Sequence, residues 1–229
     1  DELCARFLEA WEANLIDMIR CASESGLSLF GISDHGPATS SSAKPSYFQS
    51  LKLADRDRFG IRVLYGVELN IINTAGDVDL DDEILSALDY AIISIHPPIF
   101  KPYHDKDLSS AYIRAMDHPK VRFLGHIDDA RFPVDFEYLL EIAKEKHVYP
   151  EINNGSLMPD AYRINGQENC RRILSICKKL DLPVLLSSDS HGKKNIGNMQ
   201  YIFPLLEELD FPAHLVLNSD LSVLSEIIQ

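Results

Sequence analysis

What most constrains the fold of this chain is an alternation: short apolar, β-branched runs give way to amphipathic stretches along nearly its whole length. That rhythm is the signature of β/α units around a parallel sheet. Seven candidate strands stand out: Leu27–Ser33, Arg62–Leu69, Tyr90–Ile95, Val121–Gly125, Val148–Ile152, Pro183–Ser187 and His214–Leu217. Between them, Asp135 to Lys146 places Phe136, Leu139, Leu140 and Ala143 on one helical face, and Gln167 to Leu180 does the same with Cys170, Ile173, Leu174 and Cys177. A first helix is expected to start at the cap Asn14, bury Leu15, Met18, Ile19 and Ala22, and end at Gly26. No shift in composition marks a boundary, so residues 1–229 read as one domain. The strands alone leave open whether the sheet closes into a barrel or stays an open doubly wound sheet.

The residues that end the strands carry the chemistry. In order they are Asp34-His35, Glu68, His96, His126, Glu151 to Asn154, and Asp189 to His191, so four of the eight histidines fall at strand ends. In a β/α barrel these ends converge on one face. Neutral imidazoles beside carboxylates, without thiolates, suit zinc, manganese or iron in a hydrolytic centre with an open position for water. His104, His118, His147 and His214 read as surface or capping residues, His104 being nearest to a site because it lies in the loop after the third strand. The low-complexity stretch Thr39 to Ser46 reads as a solvated loop or as a lid over the site.

Composition then removes alternatives. With 22 Lys+Arg against 35 Asp+Glu the net charge is −13, which opposes binding to nucleic-acid backbones or anionic membranes. No run approaches the roughly 18 apolar residues of a bilayer span, and the start lacks signal-peptide grammar. The four cysteines form no C-x-x-C pair, which suits reduced thiols and a cytoplasmic location.

The strings ISDHGP (32–37), GVELN (66–70), SIHPP (94–98), GHIDD (125–129), EINN (151–154) and SSDSH (187–191) resemble, in order and spacing, the motifs of the PHP (polymerase and histidinol phosphatase) family. The YcdX-like phosphatase branch is the most similar. The resemblance spans roughly residues 15 to 225. It implies a distorted (β/α)7 TIM-like barrel holding up to three divalent metals, zinc ahead of manganese or iron, and hydrolysis of small phosphate monoesters by activated water. Carried over, it implies metal ligation by His35, Glu68, His96, His126, Asp189 and His191, with Glu68 bridging two ions and Glu68, His126 and Asp189 at the catalytic heart. Arg131 and Lys193 are candidates to contact phosphate, and Asn153 to line the site.

One family element is missing. The first strand normally ends in D-x-H-x-H, whereas the corresponding stretch here, DELCARFLEAWEAN, supplies Glu2, Cys4 and Ala10 and does not read as a strand. Either the sequence begins downstream of the true start, which Asp at position 1 slightly favours, or the protein has lost its first strand and part of its metal site. The second account makes it a degenerate, non-catalytic binding or regulatory module. A metal-dependent amidohydrolase fits less well, because no strand end places a bridging lysine. Substrate identity and oligomeric state, including a homo-oligomer, stay open.

Overall fold

The alternation resolves into a curled parallel sheet. The computed structural model describes residues 15–40, 42–97, 99–100 and 106–228. The leader with Glu2 and Cys4, the cap Asn14 and His104 lie outside the described residues. Helix α1 covers residues 15–24 and is followed by β1 (Leu29–His35), α2 (Pro45–Ser50), β2 (Asp57–Arg58), β3 (Ile61–Asn70), α3 (Asp82–Leu85), β4 (Tyr90–Ser94) and α4 (Ser109–Ala115). Then come β5 (Val121–Leu124), α5 (Phe136–Glu145), β6 (Tyr149–Asn153), α6 (Gly166–Leu180), β7 (Leu185–Ser187), α7 (Ile202–Glu208) and α8 (Leu221–Ile228). The strand order is β1-β3-β4-β5-β6-β7, all parallel, with β2 antiparallel on β3. The sheet curls into a half-barrel, consistent with a TIM-like fold.

Helices form where their apolar stripes meet this sheet. Phe136, Leu139, Leu140 and Ala143 of α5, and Cys170, Ile173, Leu174 and Cys177 of α6, are all buried. Burial stabilises each of the larger side chains by on the order of 1.5–3 kcal/mol. Asp135 caps α5 by accepting from the Tyr138 amide at 3.2 Å. Gly26, at φ +81°, ends α1: the Leu27 amide reaches back to Ala22 O and the Gly26 amide to Ser23 O, a paired closure that needs a left-handed residue.

Inside the curl a second cluster of Leu64, Tyr90, Ile92, Phe123 and Leu217 is closed from below by Leu224 and Ile228 of α8. Tyr90 lies across the interior, and this dictates glycine on two neighbouring strands. A Cβ at Gly66 would fall 2.7 Å from the Tyr90 ring, and one at Gly31 would fall 2.8 Å from its hydroxyl.

The strand expected at His214–Leu217 does not form. Ala213–Leu215 and Leu217–Ser219 are single 3-10 turns, and only Val216 pairs, through one parallel bridge to Val184. The turns bury Leu215 and Leu217 to 3% and 2% exposure, so the apolar pattern is satisfied without a ladder. The Asn218 side chain takes the place of a strand partner: Leu186 N–H donates to its Oδ1 at 2.7 Å, and its Nδ2 donates to Leu186 O at 3.0 Å. On the other side, β1 pairs with β3 alone among the described residues. Its second edge faces a cavity of about 470 Å³ that runs from the mouth, at His35, Glu68, Asp189 and His191, down to Leu224 and Ile228.

Candidate metal centre

Register builds the centre. In the β1–β3 ladder His35 stands opposite Glu68, so both side chains project to the same face at the same height. β1 begins and ends two residues later than the sequence pattern implies, which makes Asp34 and His35 part of the strand rather than its sequel. His96 and His126 each follow the last residue of their strands, β4 and β5, by two positions. His126 holds φ +29°, and the preceding Gly125 is forced, since a Cβ there would meet Ser94 Oγ and come within 2.8 Å of Ile92. The Glu151 carboxylate fixes this strained turn by accepting from the His126 backbone amide at 2.8 Å.

Three imidazoles therefore ring one carboxylate. Glu68 lies 3.0 Å from His35 Nδ1, 2.9 Å from His126 Nε2 and 3.3 Å from His96 Nε2, and its side chain is 12% exposed. Burial pushes the Glu68 pKa up, but His126, His35 and His96 together outweigh it and hold the group well below the usual carboxylate range. Contact with Glu68 raises His35 against the opposing effect of burial. Burial and the Arg163 charge push His126 down, yet Glu68 and Glu151 carry it above the ordinary imidazole value. Burial lowers His96 in spite of Glu68.

The tautomer of His96 can be deduced from its neighbours. Asn70 Nδ2 donates to Asp79 Oδ2 at 2.6 Å and to Gly36 O at 3.3 Å, both pure acceptors, so its Oδ1 must face His96 Nδ1 at 2.8 Å. Nδ1 of His96 carries the proton, and in the neutral ring Nε2 presents a lone pair to Glu68 Oε1 and to His126 Nε2, 3.3 Å away. Lone pairs converging on a carboxylate repel unless a cation sits among them. His35 Nδ1 is buried and lies 3.0 Å from the other oxygen of the same carboxylate. Donor atoms of His35, Glu68 and His96 lie within 4.8 Å of one another, so this cluster could hold a metal ion. Asn70 supplies the outer contact that orients a ligating histidine.

The other side of the mouth is organised around Arg163. Its guanidinium donates to Asp189 Oδ2 at 3.0 Å and to Ser156 Oγ at 3.1 Å, while Asn153 Nδ2 donates to the same Asp189 oxygen at 3.0 Å. Burial raises Asp189, but the Arg163 charge and these hydrogen bonds bring its pKa net below the usual value. Asn153 and Ser187 also donate to Glu151, which burial holds above its ordinary pKa.

The remaining candidates stand apart. His191 is exposed, its ring 5.9 Å from that of His35, and its Nδ1 approaches Asp189 O at 3.1 Å. Lys193 pairs with Asp17 of α1 at 3.1 Å. Arg131 turns its guanidinium onto Asp129 and over the Tyr162 ring. His118 and His214 pair with the surface acids Asp82 and Asp181, and His147 caps a helix end in the left-handed region. The loop expected to be solvated or lid-like folds back on the centre: Ser42 Oγ donates to His35 O.

Asn70, Asp79 and Arg163 contact the candidate centre, directly or through one residue, and strand-end reasoning missed them. Asn70 sits inside the GVELN string and Asp79 nine residues further on, but Arg163 lies in the non-periodic loop before α6 and has no sequence signal.

Three comparisons bear on this geometry. No family model matches the chain. It is 36% identical over 206 residues to a probable phosphatase of Clostridium acetobutylicum, covering 90% of this chain and 84% of that protein. A probable phosphatase of Caldicellulosiruptor saccharolyticus is 34% identical over 215 residues, covering 94% and 89%. The chain belongs to this family of probable phosphatases. Among solved structures, a chain in the cryo-EM structure of archaeal ribonuclease P with mature tRNA has a TM-score of 0.60 at 18% identity, covering 93% of this chain and 86% of that chain. That likeness is one of fold alone. Among the described residues, no helix is long and apolar enough to cross a membrane.

Proposed function

We propose that this chain is a metal-dependent phosphomonoesterase of the PHP type, acting on a small phosphorylated molecule. The observation that carries the proposal is the Glu68 carboxylate ringed by His35, His96 and His126, with the His96 tautomer set by Asn70 so that Nε2 is bare. Glu68, His35, His96 and His126 would hold a zinc, manganese or iron ion, with Asp189 on the other side, and such an ion would supply Lewis acidity toward a water and the phosphate. Arg163 orients Asp189 and, with the metal, makes this corner of an acidic protein attractive to a phosphate. Asn153 holds Asp189 from below and lines the site. The hydrolysis adds water across the ester: the new P–O bond forms as the bond to the leaving group breaks, and the alcohol leaves with a proton.

The experiment is metal analysis of the purified chain, followed by hydrolysis of p-nitrophenyl phosphate with added zinc or manganese. The expected result is metal retained on dialysis and turnover abolished by Glu68→Ala and His126→Ala. Undiminished turnover in both variants would sink the proposal. A second reading is a binding module without turnover, in keeping with β1 pairing with β3 alone among the described residues. Its mark is stoichiometric metal with no hydrolysis of any phosphate ester tested.

A further inference from the structure

Arg131 has the charge to bind phosphate but not the freedom. Its Nε lies 3.0 and 2.9 Å from the two oxygens of Asp129, its Nη2 contacts the same carboxylate, and its backbone amide donates to Asp129 Oδ1 at 3.0 Å. Asp129 is 5% exposed, and the Arg131 contacts hold its pKa net below the usual range against the push of burial. A guanidinium so engaged is neutralised and fixed in place.

What it supports is a ring. The Arg131 guanidinium sits 4.2 Å from the centroid of Tyr162, whose side chain is otherwise in water, the residue being 73% exposed. The ring is thus backed by a cation and otherwise open to solvent. The two loops that carry the pair are stitched together, Ala130 N to Ile164 O at 2.9 Å and Ile164 N to Asp129 Oδ1 at 3.4 Å. Both loops lead directly to the metal centre: Asp129 is three residues beyond His126, and Arg163, next to Tyr162, holds Asp189. An exposed aromatic face on the residue next to Arg163 suits a planar group of a substrate, because stacking needs a π-face and little else.

We propose that Tyr162 is a specificity residue on which the nucleobase or other aryl portion of the phosphorylated substrate stacks, the Arg131–Asp129 pair acting as its support. This rests on the phosphatase reading above and names its substrate class as nucleoside or aryl phosphates rather than aliphatic ones.

The test uses the metal-loaded full chain with adenosine 5′-monophosphate and ribose 5-phosphate, which share the phosphate and sugar and differ by the base. Binding is read by calorimetry and hydrolysis by phosphate release, for the unaltered chain, Tyr162→Ala and Tyr162→Phe. The expected result is that Tyr162→Ala weakens binding of the nucleotide about tenfold, leaves ribose 5-phosphate within about twofold, and that Tyr162→Phe restores the difference. Equal weakening of both ligands, no change for the nucleotide, or no nucleotide binding by the unaltered chain would each overturn the proposal. Tyr162-dependent binding without hydrolysis of either compound would leave the stacking platform standing and defeat the phosphatase reading. Hydrolysis of both with no dependence on Tyr162 would do the reverse.

Discussion

The two sides of the mouth are built by different means. On the β3–β5 side, Glu68, His96 and His126 project from neighbouring strands or just beyond them, and each is fixed by its immediate surroundings: Asn70 behind His96, Glu151 beneath the His126 turn. On the β7–β1 side, Asp189 depends on an arginine from a distant loop, His191 stands in solvent, and β1 pairs with β3 alone among the described residues. The difference teaches that side chains at the ends of adjacent paired strands can be held by residues close by in the same sheet. Where the ladder stops, a long side chain such as Arg163 has to substitute for it.

If that contrast is right, substitutions on the paired side carry the largest effects. Glu68→Gln, which removes the shared charge at constant shape, is expected to drop metal content and phosphate-ester hydrolysis to background, measured by elemental analysis and a colorimetric assay. Asn70→Leu, which frees the His96 tautomer without touching a ligand atom, should weaken metal affinity by about 10–100-fold. A competitive chelator titration reads it, and unchanged affinity would remove Asn70 from the centre.

Packing offers a matched pair. Gly66→Ala drives a methyl into the Tyr90 ring and should cost about 1–3 kcal/mol in urea unfolding. Gly192→Ala, on the open side with nothing within 4 Å, should lie within about 0.5 kcal/mol of the unaltered chain. The pH dependence follows from the imidazoles around Glu68. Because His35 and His126 hold protons above the ordinary imidazole value, a metal must displace them, so its affinity should tighten as pH rises through and beyond that value and then level off. A pH-independent dissociation constant between pH 6 and 8 would contradict these protonation states. The smallest effect is expected for His191→Ala, with hydrolysis changed less than about threefold, because an exposed ring pays the full entropic cost of ordering; a large loss would show that His191 is itself a ligand.

Much of the fold was legible. The amphipathic stripes of α5 and α6 and the Gly26 stop depend on neighbours three to five residues apart, which periodicity reads directly. The last strand was misread because Leu215 and Leu217 alternate like strand residues, yet two 3-10 turns bury them equally well and Asn218 supplies the missing backbone partner. Lys193 and Arg131 looked like phosphate contacts from their place in the chain. The structure gives them Asp17 and Asp129, acids whose nearness only folding decides.

From the sequence alone came the identity of the strands' polar ends, because a strand's apolar run must stop where its side chains reach water. Tertiary structure alone decided which of those ends meet, that the His96 proton sits on Nδ1, that Arg163 enters the site, and that Tyr162 faces outward over Arg131. Each of these depends on a contact between residues far apart in the chain or on a loop without periodicity. Such distances and angles are set by strand register and curl, and a linear pattern does not encode them.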